Sequence, residues 1–115
     1  MKILQAENLA NQLRQMKDIK GVVGLSIARN LRMIDDELQE YYQAKNDLFV
    51  KYGEEKDGKL FISKFSDNYS KFIEEATPLE NQDVEFTFRK VKEDDLIDCG
   101  LTSEQMYILL DFMIE

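Results

Sequence analysis

Two acidic clusters and one pair of arginines are the residues of this chain whose types and spacing could do chemistry. Asp35, Asp36, Glu37 and Glu40 fall within six consecutive positions, and Glu93, Asp94, Asp95 and Asp98 within another six. Carboxylates so grouped are the hard-oxygen donors that hold divalent cations. The first group has no Glu-x-x-His partner of the kind carboxylate-bridged metal centres use. The second lacks the fixed glycine and terminal glutamate of a calcium loop. Both therefore read as solvated charged faces, and no metal site or cofactor is expected. Arg29 and Arg32 could meet a phosphate or an acidic partner near a helix N-terminus. The blander alternative pairs Arg32 with Asp35 or Asp36 of the same chain.

Several reaction classes are disfavoured by what is missing. The 115 residues contain no histidine and one cysteine, Cys99. That removes Ser–His and Cys–His nucleophilic pairs and the usual structural zinc site. Cys99 follows Asp98, which discourages a thiolate, so it reads as an inert thiol. Gly21-x-x-Gly24 lacks the lysine of a phosphate loop and the third glycine of a dinucleotide fingerprint. A non-enzymatic protein is the expectation.

Charge is unevenly distributed in a chain of net charge −8. Residues 1–34 hold six basic and two acidic groups; residues 35–115 hold nine and twenty-one. That balance argues against direct nucleic-acid binding. No apolar run reaches the roughly 20 residues of a membrane span. A single cysteine and no leader-like segment point to a reducing, cytoplasmic setting. The length suits one domain over 1–115.

The elements that must position these residues are mainly helical. Leu9, Leu13 and Met16 mark a first helix over about Ala6–Lys17, with Met1–Leu4 a candidate strand. Ile27, Leu31, Ile34, Leu38, Tyr41, Lys45, Leu48 and Tyr52 recur at alternating spacings of four and three, broken only by Lys45. This heptad seam predicts one long helix from Val22 or Ser26 to Tyr52, its apolar face widened by Ala28, Tyr42 and Phe49. Asp47 and Lys51 form an i,i+4 pair on it, and Gly53 is its stop. Asp57-Gly58 signals a hairpin, with Leu60–Ile62 a short strand. Phe65, Tyr69, Phe72, Ile73 and Ala76 mark a third helix, capped by Ser66 and stopped before Pro78.

Val84, Phe86 and Phe88 alternate with polar residues, the strongest strand pattern in the chain. Thr102 and Gln105 fit a capping box, with Leu101 and Met106 as a hydrophobic staple. The last helix, about Ser103–Ile114, is apolar nearly all round. Such a helix has more apolar surface than one packed side needs. Met106, Leu109, Leu110, Phe112 and Met113 are therefore candidate interface residues.

The order of elements resembles a family of small phage and prophage proteins of Gram-positive bacteria, a domain of unknown function. The matching features are Gly24-Leu25-Ser26-Ile27-Ala28-Arg29 opening the long helix, the Lys51–Lys59 turn, the aromatic helix Phe65–Ala76, the Val84–Val91 strand and the final Leu-Thr-Ser-Glu-Gln helix. The family has no catalytic residues to carry over, so the resemblance implies phage origin and not an activity. The expectation is an α+β fold, predominantly helical, with three to four helices around one long central helix and a small antiparallel sheet near Val84–Val91. The expected role is an interaction or accessory protein that self-associates into a homo-oligomer. The alternative is an acidic inhibitor occupying a basic nucleic-acid-binding site on a host protein.

Overall fold

Helix packing builds the molecule, which a computed structural model describes over residues 1–115. Helix α1 runs over Ile3–Arg14, α2 over Gly21–Glu37, α3 over Gln39–Tyr52, α4 over Asp67–Glu80 and α5 over Ser103–Phe112. Strands β1 (Glu54–Lys56) and β2 (Lys59–Phe61) make one two-stranded antiparallel sheet, pairing Glu54 with Phe61 and Lys56 with Lys59. The fold is thus α+β and predominantly helical. Asp57 and Gly58, with φ of 53° and 77°, form the tight turn that the Asp-Gly pair predicts.

The heptad seam faces inward, as its spacing requires. Ile27, Ile34, Leu38 and Tyr41 join Leu9, Leu13, Val84, Val91, Leu96, Leu109 and Met113 in one interior cluster. The single long helix, however, is two. Leu38 leaves the helical conformation (φ −92°, ψ 6°) and separates α2 from α3. The i→i−4 bonds Leu38 N–H to Ile34 O and Tyr42 N–H to Leu38 O persist across it, both 2.9 Å. Neither glycine nor proline causes the break. The two segments serve different neighbours, α2 lying against α1 and α3 against α4. Ala28, predicted to widen the seam, is exposed.

Three other elements depart from expectation. Helix α1 begins at Ile3, so Met1–Leu4 is not a strand; only Lys2 bridges to Asp83. Pro78 lies inside the last turn of α4. There its missing N–H frees only the carbonyl of Glu74, an exposed residue. Residues 84–90 form no sheet despite their alternation. They make an extended strap held at its ends: Val84 N–H donates to Met1 O (2.8 Å), and Val91 N–H to Met113 O (2.7 Å).

The middle of the strap is fixed by one side chain. Asn30, 1% exposed, donates from Nδ2 to Arg89 O (3.0 Å) and accepts at Oδ1 from Arg89 N–H (2.8 Å). Its carboxamide thus replaces the neighbouring strand that the strap lacks. Gly24 is required nearby, because a Cβ there would collide with the carbonyl of Ile19.

The molecule is elongated, 51 × 31 × 20 Å. Its radius of gyration of 17.0 Å exceeds the ~13 Å of a compact chain of this size. Helices α3 and α4 pack chiefly on each other and are joined by the hairpin, an antiparallel two-helix arm.

Candidate interaction surface

The arm is built around few buried side chains. Between Gln39 and Glu80 only Tyr41, Phe72 and Ala76 are buried, and Phe72 and Ala76 lie outside the main interior cluster. The Phe49 and Phe72 rings meet between α3 and α4 with centroids 4.6 Å apart. Each helical residue advances by ~100°. In an antiparallel pair, the residue after each facing ring turns to the same side. Val50 and Ile73 therefore share one face of the arm, and they are 61% and 40% exposed. Leu60, Phe61 and Phe65 add to the exposed apolar surface at the hairpin end, Phe65 being 99% exposed. The arm exposes more large apolar side chains than it buries, an incomplete core.

Charges around the arm are mixed. Lys51 pairs with Glu75 across the two helices at 3.6 Å, not with Asp47 on its own helix. At the root of the arm, Lys45 fills the one polar position of the seam. Its Nζ reaches Glu7 Oε1 (3.1 Å) and Glu80 Oε1 (3.6 Å) and donates to Tyr41 Oη (3.1 Å). One ammonium thus ties α1, α3 and α4. Asp35 makes a second tie, accepting from Arg14 of α1 and from Tyr42 Oη (3.4 Å).

These contacts have a pH signature. Burial, then the neighbouring Asp35 carboxylate, push the Tyr42 hydroxyl up to about 12. Burial also raises Tyr41. Burial opposes the Lys45 ammonium, but the Tyr41 hydroxyl and Glu7 carboxylate outweigh it and hold Lys45 raised. All three groups bind their proton more tightly folded than unfolded. Their contribution is complete below pH about 10 and is lost as pH rises through the folded values. Melting temperature is expected to fall between about pH 10 and 12, and less so in Tyr42→Phe, as followed by circular dichroism across a pH series.

The last helix divides the predicted interface residues. The Thr102–Gln105 capping box forms, with Gln105 N–H donating to Thr102 Oγ1 at 3.2 Å and Thr102 N–H to Gln105 Oε1 at 3.0 Å. Leu109 and Met113 point into the interior, 0% and 1% exposed, and so are core residues instead of contact residues. Phe112 is half-buried against Phe88. Leu110 stays exposed and Met106 is half-buried against the core; both line a shallow apolar recess with Leu96, Ile97, Glu93 and Asp94. Tyr107 stands exposed beside it. From Lys92 to Glu115 the chain carries seven acidic groups and one basic, so this patch has an acidic rim.

The remaining candidates are also placed. Arg29 and Arg32 lie on the middle turns of α2, well past its N-terminus at Gly21, so the helix-end argument does not apply to them. Arg32 has no ion pair, since Asp35 is taken by Arg14. Arg29 and Arg32 share a recess with Arg89 of the strap, a residue that sequence spacing did not single out. Cys99 is half-buried, its thiol donating to Leu96 O at 3.0 Å. No group of three or more His, Cys, Asp or Glu side chains is placed to hold a metal ion. No helix is long and apolar enough to cross a membrane. Comparison with protein-family models, with curated proteins and with solved structures finds no match.

Proposed function

We propose that the protein is a non-enzymatic accessory protein, phage-encoded in origin, that self-associates by laying the arms of two copies against each other. The observation that carries this reading is the incomplete core of the arm. Val50 and Ile73 share an exposed face, while only Phe72 and Ala76 are buried between the helices beyond the root. Two such arms placed face to face make a four-helix arrangement, the common way for paired amphipathic helices to bury their remaining apolar side. The mixed charges of the arm tolerate an isologous contact, in which each patch meets its own copy. The acidic rim around Met106, Tyr107 and Leu110 does not, since a twofold there would oppose like charges. Self-association accordingly moves from α5, where the sequence pointed, to the arm.

The test is the mass in solution. Sedimentation equilibrium from micromolar to millimolar chain is expected to give twice the 13.5 kDa of one chain. Val50→Glu with Ile73→Glu is expected to weaken the dimer at least about tenfold, since central apolar contacts each account for over 1 kcal/mol. Helix content should be unchanged by circular dichroism, because both positions face outward. A monomer throughout, or a dimer indifferent to both substitutions, overturns the reading.

A second reading is favoured by the α5 surface. An apolar centre of Ile97, Met106, Tyr107 and Leu110 inside an acidic rim suits a basic partner, as an inhibitor of a nucleic-acid-binding site requires. Binding of that kind weakens steeply with added salt. Arm-mediated self-association does not depend on that rim, so salt response separates the two.

A further inference from the structure

We propose that the recess between α2 and the strap is an oxyanion site, taking the phosphate group of a small phosphorylated ligand. Arg29 and Arg32 come from α2 and Arg89 from the strap, and all three line this recess of about 560 Å³ with Asn30, Met33, Asp36 and Glu37.

Three features distinguish it from an ordinary charged surface. First, the chain has 23 acidic against 15 basic residues, yet three of its four arginines line this one recess and none of the three is in an ion pair. Asp36 and Glu37 line the same recess without forming an ion pair with the arginines. Second, the main chains that carry the arginines are fixed relative to one another, while the exposed side chains are free to close on a ligand. Arg29 and Arg32 are i,i+3 neighbours on one helical face, ~5–6 Å apart at Cβ. Arg89 is held over that face by its main chain, through the two hydrogen bonds to buried Asn30. Third, the recess is graded. Arg29 and Arg32 come first along α2, and Asp36 and Glu37 follow about one turn further on.

The grading selects the ligand. Planar guanidinium groups bind phosphate oxygens bidentately, and three of them match the three terminal oxygens of a phosphomonoester. Asp36 and Glu37 then accept from hydroxyl or amino groups on the rest of the molecule and repel a second phosphate. A polyphosphate or a nucleic-acid backbone is disfavoured on that account, and by the net charge of −8.

Calorimetric titration and thermal melting with inorganic phosphate test the site, with sodium chloride at matched ionic strength as the control. Glycerol 3-phosphate and a glutamate-rich peptide are run in parallel. Saturable phosphate binding is expected, tighter for glycerol 3-phosphate. Arg29→Gln and Arg89→Gln should each weaken it by about tenfold. Arg89→Gln leaves the main-chain clamp in place, so the fold is retained, and Lys51→Gln on the arm should leave phosphate affinity unchanged. A response equal to that of chloride, affinity unaltered in both recess variants, or binding of the peptide but not of phosphate overturns the proposal.

Discussion

Asn30→Ala is expected to destabilise the protein by about 2–4 kcal/mol, the cost of leaving two hydrogen-bonding main-chain groups without partners. The side chain itself is polar and its removal loses little apolar contact. The loss falls on Arg89, whose N–H and C=O both depend on this carboxamide. The bonds are shielded on the α2 side, where Asn30 is almost fully buried. Melting temperature should drop by roughly 10 °C. Asn30→Asp should not rescue it, because it keeps the acceptor for Arg89 N–H but loses the donor to Arg89 O and buries a charge. A drop of under about 0.5 kcal/mol in urea unfolding would mean that the bridges to Met113 and Met1 hold the strap unaided.

Lys45→Met is expected to cost about 2 kcal/mol although it makes the heptad seam fully apolar. The reason lies in what remains. Glu7 and Glu80, 17% and 22% exposed at their side chains, would face each other across the root of the arm without the ammonium between them. Adding Glu7→Gln should recover more than half of the loss, because one of the two carboxylates is then neutral. A double-mutant cycle in urea measures this, and the coupling should exceed about 0.5 kcal/mol for residues in direct contact. Additive effects would show that the seam simply tolerates a surface lysine there.

Asn30 and Lys45 both act through partners distant in the chain. Lys45 was visible as the interruption of the seam, because helical periodicity places each seam residue on the packed face. Its partners were not, as Glu7 and Glu80 are 38 and 35 positions away in the chain. The Thr102–Gln105 cap and the Asp57-Gly58 turn were legible because their bonds close within a few residues. The strap was misread as a sheet strand for the opposite reason. Alternation reports which side is buried, not what the backbone bonds to, and here the bonding groups are Asn30 and the residues near Met1 and Met113. The break at Leu38 carries no local signal, since the change of neighbour from α1 to α4 is a tertiary fact. Helix α5 was correctly placed, but an all-round apolar helix does not announce which side faces in. Leu109 and Met113 therefore went inward while Leu110 and Tyr107 stayed out. Arg29 and Arg32 were visible as a pair; Arg89 joins them only through the fold.

The claim that two copies meet through their arms is tested most directly by distances between chains. A nitroxide at Val50→Cys, in a Cys99→Ser background, should give a short interchain distance by electron–electron double resonance. The same label at Leu110→Cys should give a longer one or none. A short distance from Leu110 with none from Val50 would return the interface to α5, and no interchain signal from either at millimolar chain would contradict self-association altogether.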